Sequence, residues 1–413
     1  MSQSRHLSLD ALRGFAVMGI LVMNIIAFAM PMSAYTNPMA YGTHGFADLV
    51  AWGAAFVLID GKMRGLFSLL FGASLLLVID RAEAQGQNAA QIHYRRMGWL
   101  LILGLLHAWF IWDGDILALY ALCGMAVYLL RHMAPKQLAI TGSLLVLGNL
   151  LIWCAILLTA HALRQDALLA NTEAARATYA EMADALGAPE GASIAKDLHN
   201  HQASYLALTK ERLGTFVSGP LEFFFGYGLE TLGLMAWGMA LFKSGALTGQ
   251  WSRHKLMRKA LMAYGLGLPA SLALALLANH SGFETLLTAD IYFALNTPAR
   301  MAVMLGHIFA LTALIGAANA SGPWLVRVAA AGRMAFSNYI LTSLLMTTLF
   351  YGYGFGLYGQ VSRTQAYLAV PLVWAVMLIW SPLWLRHFAY GPLEWLWRSL
   401  ARGSRQPFRL KPS

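Results

Sequence analysis

Ten stretches of this chain are long and apolar enough to need a bilayer or a deeply buried core. They run over 11–30, 63–80, 97–112, 116–131, 137–161, 216–242, 259–279, 298–318, 331–351 and 366–385. A helix needs roughly 20 apolar residues to cross the hydrocarbon core, where every backbone N–H and C=O must be paired within the segment. The predicted fold class is therefore all-α: a polytopic integral membrane helical bundle of about ten transmembrane helices. Composition points the same way, with 58% hydrophobic and 12% charged residues, against about 25% charged in a soluble domain. The third and fourth runs are short and almost continuous, hinged at Asp113-Gly114-Asp115 within "HAWFIWDGDIL". The stretch 46–60, "FADLVAWGAAFVLID", is short and is followed by Lys62, so it reads as an interfacial or re-entrant helix.

Charge sets the expected orientation. The chain carries +10 net over 413 residues. With ten spans and the N-terminus inside, 20 of the 29 Lys and Arg fall on the cytoplasmic side, in segments such as "HYRRM", "KSGALTGQWSRHKLMRK" and "RGSRQPFRLK". The positive-inside rule then places both termini in the cytoplasm. A full crossing by 46–60 would invert that bias. The positive charge is not read as a nucleic-acid surface, because no basic patch interleaved with aromatics lies outside the apolar runs. The run Phe15 to Met30 contains an "AFA" that resembles a cleavage site. Asp10, Arg13 and Asn24 are poor signal-peptide residues, and nine more runs follow, so a retained first helix is expected.

The expected organisation is a first membrane half (1–161), an extracytoplasmic helical segment (162–215), a second membrane half (216–385) and a basic cytoplasmic tail (386–413). The middle segment is Ala-rich and polar; it reads equally as a lid over an external site and as a solvated connector. Cys123 and Cys154 both lie in apolar runs and have no metal-ligand spacing. No metal motif, Walker motif or Gly-rich phosphate loop is present.

Polar groups within apolar runs are costly and are the candidates for function. Asp10 and Arg13, three apart, share a helix face as an ion pair or as part of a binding mouth. Asn24 lies on that face, about 16 Å deeper. His107 precedes Asp113 by six residues, about 9 Å along a helix. A turn at Gly114 would fold Asp115 back towards the ring, giving a histidine oriented by a carboxylate, the usual general-base arrangement. Alternatively Asp115 only caps the next helix. His44 and Asp48, four apart, are a second such pair. Arg333 and Asn338, with Asp10 and Arg13, would form a cytoplasmic mouth for anionic groups. Glu230 would be either protonated or paired with a basic group that the sequence does not identify, and His307 reads as a packing histidine.

The blocks "LDALRGFAVMGILVMNI" (9–25), "LFSLLFGASLLL" (66–77), "GLLHAWFIWDGDILALYAL" (104–122), "GRMAFSNYILTSLLMTTLFY" (332–351) and "GPLEWLWRSL" (391–400) resemble the YeiB-like family of bacterial polytopic membrane proteins. That resemblance implies a polytopic fold in the bacterial cytoplasmic (inner) membrane. More distantly, "LDALRG…N" is similar to the first span of heparan-alpha-glucosaminide N-acetyltransferase and of bacterial membrane O-acyltransferases. Those enzymes place an acyl-CoA at a cytoplasmic mouth and the acceptor on the far side. In the O-acyltransferases a catalytic histidine occupies the position of Asn24. The glucosaminide enzyme is similar in having Asn there, with its catalytic histidine ahead of an "ADLV" that matches Ala47 to Val50. His44 precedes that block at a shorter spacing, so His44 and His107 compete as the base.

The resemblance implies an acyltransferase. Acyl-CoA, a co-substrate rather than a tightly bound cofactor, would lie near Arg13 and Arg333. Asn24 would hold the acyl carbonyl, and Asp113 and Asp115 would order the histidine or bind a saccharide or other small acceptor. Membrane lipids are the remaining expected partner. The alternatives are a transporter or channel lined by Asp10, Arg13, Glu230 and His307, and an assembly subunit. The sequence carries no repeat that would support a transporter pseudo-symmetry, and it does not fix the oligomeric state.

Overall fold

The structure is a computed structural model that describes residues 2–170, 172–215, 218–317 and 322–410. Residues 216–217 and 318–321, at the edges of two apolar runs and in one loop, and 411–413 of the tail lie outside it. The chain is an all-α membrane bundle. Over the described residues, each of the ten apolar runs lies largely on helix. Among the described residues the only extended pairing is an isolated bridge between Phe388 and Arg409.

Helix α1 (Ser2–Ala29) leads through the single turn α2 (Ser33–Thr36) to α3 (Phe46–Leu58) and α4 (Lys62–Ala84). α5 (Ala89–Phe110) and the short α6 (Leu117–Val127) form a hairpin, followed by α7 (Pro135–Leu169). α8 (Glu173–Ala185), α9 (Ala192–Gln202) and α10 (Tyr205–Gly214) make up the polar middle segment. The second half holds α11 (Ser218–Lys243), α12 (Arg253–His280), α13 (Thr285–Ala289), α14 (Thr297–Ala317), α15 (Pro323–Arg333), α16 (Ala335–Phe350), α17 (Arg363–Tyr367) and α18 (Ala369–Leu385). The amphipathic α19 (Pro392–Arg402) closes the chain.

Among the described residues, six segments are long and apolar enough to cross a membrane: Leu7–Ala29, Phe46–Ala84, Pro135–Leu169, Arg253–His280, Thr297–Gly316 and Arg363–Leu385. The remaining runs form helices that are shorter, such as α6 and α16, or carry charge, such as α5 with Arg95 and Arg96. Phe46–Ala84 spans 39 residues; as one straight helix it would measure about 58 Å. It is broken at Ile59-Asp60-Gly61, where Gly61 has φ +67°. The stretch 46–60 is thus a helix of its own ahead of α4.

α1 is the axis of the bundle. It is apolar on all sides, and a helix of that kind must be enclosed. Of its apolar window 78% is buried, against 22% for α7 and for α12, whose outer faces remain open. Residues of α1 take part in all three large core clusters. Two glycines let the backbones meet where α1 crosses α15: a Cβ on Gly14 would strike the Val328 carbonyl, and one on Gly332 would strike that of Asp10. This crossing brings Asp10, Arg13 and Arg333 to one end of the bundle.

The polar middle segment closes the other end. Met32 N donates to Asp197 Oδ2 (3.0 Å), Gly352 N to the His201 carbonyl (2.8 Å), and Tyr205 OH to the Phe110 carbonyl (2.9 Å). The segment is a packed cap on this face. At the opposite end the tail also packs: Ala389 N donates to Phe408 O (3.0 Å) and Leu410 N to His387 O (3.1 Å), seating α19 against α5 and α16.

Candidate active site

The site is built at the α5–α6 turn. His107 lies in the last turn of α5, and its carbonyl accepts from both Ile111 N and Trp112 N at 2.9 Å, which ends the helix. The chain then reverses. Gly104 allows α6 to start directly against α5, since a Cβ there would collide with Ala118 N and the Leu117 carbonyl carbon. The reversal returns Asp115 to the histidine: Nδ1 of His107 and Oδ1 of Asp115 are 2.8 Å apart, both side chains being buried. The other oxygen, Oδ2, accepts from Ala118 N at 2.8 Å. Asp115 therefore caps α6 and orients His107 at once.

The second ring nitrogen is also engaged. Nε2 of His107 lies 2.9 Å from Ser343 Oγ on α16. With Asp115 accepting, the ring proton sits on Nδ1 and leaves Nε2 of a neutral imidazole to accept from the Ser343 hydroxyl, which also lies 3.3 Å from the Tyr339 carbonyl as an alternative acceptor. Tyr339, one turn before Ser343, tilts against the His107 ring at 5.2 Å between centroids. Its hydroxyl accepts from Ile116 N (3.3 Å) and donates to the Gly114 carbonyl (3.4 Å), bracing the turn. Ser343, His107 and Asp115 thus form a linear relay of hydroxyl, imidazole and carboxylate. Its geometry is that of an activated nucleophile with an oriented base.

Two cavities adjoin the relay. A void of about 10 Å³, close to the space one water needs, is lined by Val17, Ile20, Leu21, Asn24, Phe28, Tyr339, Thr342 and Ser343. A larger cavity of about 390 Å³ shares Val17, Ile20 and Tyr339 with it. This larger cavity also touches Ile116, Leu117 and Tyr120 at its inner end. It reaches the surface at the exposed Arg81, Gln85, Gln87 and Arg402. Its volume falls in the range of small-molecule sites.

The lining is strongly basic: Arg13, Arg81, Arg96, Arg333, Arg398 and Arg402 against Asp10 and Glu394. Neither carboxylate offsets the whole set. Asp10 pairs with Arg13 at 2.5 Å, and Ser74 Oγ accepts from the same guanidinium at 2.9 Å. Glu394 accepts from Phe336 N (2.8 Å), Ser337 N (3.1 Å) and Ser337 Oγ (2.5 Å). It thereby satisfies the open N–H groups at the start of α16, where a negative charge is also favoured by the helix dipole. Arg96 stacks over Trp397 at 4.3 Å, and its Nε is buried without a hydrogen-bond partner among the described residues.

Of the residues singled out in the sequence, Arg13, Asp10 and Arg333 line the large cavity, Asn24 lines the small void, and His107 and Asp115 form the relay. Asp113 points the other way, towards the cap. It is half exposed, and Arg212 Nη2 of α10 reaches it at 3.3 Å while Arg212 Nη1 donates to the Ile111 carbonyl at 3.0 Å. Desolvation opposes the Asp113 charge, but Arg212 and then His201 outweigh it and hold the carboxyl below its ordinary value.

His44 and Asn338 stand apart from the relay. The side chain of His44 is exposed on the loop before α3, and the bond it makes to Asp48 is through its backbone N–H (2.9 Å). The other oxygen of Asp48 accepts from Thr364 N at 2.7 Å, so that carboxylate ties two loops together. Asn338 is fully buried: its amide donates to the Ala331 carbonyl (3.0 Å) and Ser381 Oγ (3.1 Å), and its oxygen accepts from Trp380 Nε1 (2.7 Å). It joins α15, α16 and α18 and is not among the cavity-lining residues.

Glu230 sits between two arginines, Arg64 at 2.6 Å and Arg300 at 2.5 Å, all three buried. Lys62 is buried in the bundle interior like Arg64 and Arg300, and it donates to the Phe56 carbonyl. His307 bonds Tyr264 OH and the Leu58 carbonyl, each at 2.8 Å. Neither Glu230 nor His307 lines the large cavity.

Sequence reasoning missed Ser343, Tyr339, Arg96, Arg398, Arg402 and Glu394. One signal was present: Tyr339 and Ser343 are four apart in an apolar helix, a spacing that places both on one face. The arginines of α5 and α19 gave none, because they read as ordinary basic helix ends.

The family model described as "Protein of unknown function (DUF418)" matches residues 241–404, from the end of α11 to α19. That span includes Arg333, Tyr339, Ser343 and Glu394. The chain is 32% identical to the uncharacterized protein YeiB of Escherichia coli (strain K12), over 99% of both chains. It is also 32% identical to the uncharacterized protein YxaH of Bacillus subtilis (strain 168), over 98% of this chain and 96% of the relative. An uncharacterized 39.9 kDa protein of Bacillus acidopullulyticus is 24% identical over 98% of this chain and 96% of its own. No solved structure matches the chain. With such identity along nearly its whole length, the chain belongs to the YeiB-like family of polytopic membrane proteins.

Proposed function

We propose that this protein is a membrane-bound acyltransferase of the bacterial inner membrane. It takes an acyl group from an acyl-CoA at the basic, cytoplasmic end and delivers it to a hydroxyl or amine acceptor, such as a saccharide, at or beyond the outer face. One observation carries the reading: a cavity with six arginines against two carboxylates runs inward to Tyr339, beside the Ser343–His107–Asp115 relay. Arginine suits phosphate because its planar fork donates two bonds at once. The nucleotide and its phosphates lie at the mouth, and the thinner pantetheine arm and acyl group follow the apolar wall of Val17, Ile20 and Tyr339 inward.

Each residue of the relay has a role in that chemistry. His107 removes the proton of the attacking group, and Asp115 fixes the tautomer and stabilises the imidazolium. Asn24, on the void shared with Ser343, donates to the oxyanion that forms as the thioester carbonyl is attacked. Asp113, under α10, lies on the side from which the acceptor approaches.

The test is acyl-CoA binding and CoA release by the purified protein, compared with Arg13→Ala. The reading requires binding by the wild type and a weaker complex in the variant; equal binding by both, or none, rejects it. A flux assay in proteoliposomes separates it from the transporter reading, which requires solute movement without thioester turnover.

A further inference from the structure

The geometry points to Ser343 as the first acceptor of the acyl group, so that transfer proceeds through a covalent acyl-serine. This inference rests on the acyltransferase reading and specifies its first step. Neutral His107 has one basic nitrogen, Nε2, and Ser343 Oγ occupies it at 2.9 Å. An outside hydroxyl or amine would have to displace Ser343 to reach that nitrogen. Ser343 is 1% exposed, and the void it lines has the size of about one water. That space suits a carbonyl group arriving from the large cavity and does not hold donor and acceptor together. The serine is therefore the hydroxyl that the base is positioned to activate. Asn24 lines the same space.

The step balances. His107 Nε2 takes the Ser343 proton as Oγ bonds the thioester carbonyl carbon. The C–S bond breaks, and the imidazolium returns the proton to the departing CoA sulfur. In the second half His107 takes a proton from the acceptor hydroxyl or amine, which attacks the ester carbonyl. The Ser343 C–O bond breaks, and Oγ regains its proton from the imidazolium. Donor and acceptor use the space beside His107 in turn, the acceptor entering after CoA has left, and never together.

The experiment uses the full chain in detergent, with two probes: [14C]acetyl-CoA, and a fluorophosphonate, which reports an activated serine whatever the natural acyl chain. The wild type should retain label after denaturation, approaching one per molecule and mapping by mass spectrometry to Ser343. Ser343→Ala should retain none. His107→Ala should label at least about 100-fold more slowly, the usual contribution of a general base. Ser343→Cys should give an acetyl adduct released by neutral hydroxylamine, as a thioester is. Label on another residue overturns the inference, and so does Ser343→Ala releasing CoA at the wild-type rate. A wild type that binds acetyl-CoA and turns it over without label overturns the covalent step alone. A wild type that neither binds acetyl-CoA nor reacts with the fluorophosphonate overturns the acyltransferase reading with it.

Discussion

His107 and Asp115 are eight residues apart in the chain and 2.8 Å apart in space. The contact exists because α5 ends at Phe110 and the chain turns back before α6 begins at Leu117. Asp115 divides its oxygens between the imidazole and the first turn of α6. Catalytic orientation and helix capping are therefore alternatives only on paper, and substitutions can separate them.

Asp115→Asn keeps a good capping side chain but removes the charge. It should fold normally and lose about 10²–10⁴-fold in CoA release from acyl-CoA, as should His107→Ala. His44→Ala, in an exposed loop away from the relay, should stay within about twofold of the wild type. Thioester turnover measured with a thiol reagent checks all three. A defect confined to His44→Ala would transfer the base to that residue.

Arg96→Ala and Arg398→Ala should each raise KM for acyl-CoA about 10- to 150-fold and leave kcat nearly unchanged, because a hydrogen bond to a charged group contributes about 1.5–3 kcal/mol to binding. The wild-type KM should also rise with salt as the arginine field is screened. Steady-state kinetics at two ionic strengths test this, and a fall in kcat at constant KM would contradict it.

Arg212 links the cap to the site turn. Arg212→Ala should leave the bundle folded and raise hydrogen exchange in 111–116 relative to α5 and α6. The pH dependence follows from Asp113, which is held below its ordinary carboxylate value. Its contribution is complete above about pH 4 and is lost as the pH falls through the lowered value. Exchange in 111–116 of the wild type should therefore be insensitive to pH near neutrality and increase only in acid, after correction for intrinsic rates. Equal protection in both proteins would show that α10 does not hold the turn.

Glu230→Gln leaves Arg64 and Arg300 buried beside a neutral partner. Breaking such a pair costs about 3–5 kcal/mol, so thermal unfolding in detergent should move to clearly lower temperature. Turnover by the remaining folded protein should be retained, because the cluster does not line the large cavity. An unchanged melting temperature would mean that water already reaches the cluster, which would favour the transport reading.

Apolar run length determined a great deal on its own. A chain with ten such runs has to pair its backbone within helices, and over the described residues all ten lie largely on helix. The sequence also made Asp115 a cap and left open its return to His107, since Gly114 in a short turn permits that reversal. Tertiary structure decided what local pattern does not encode. Ser343 reaches His107 from 236 residues away, and Arg96 and Arg398 line one cavity although about 300 residues separate α5 from α19. Glu230 finds its partners on α4 and α14. His44 and Asp48 have the spacing of a base and its orienting acid, yet packing uses the carboxylate as a loop tie and leaves the ring exposed. Hydrophobic periodicity is local, so it determines the helices. The direction a polar side chain takes depends on which helix crosses which, and that follows from packing such as the Gly14 and Gly332 crossing of α1 and α15.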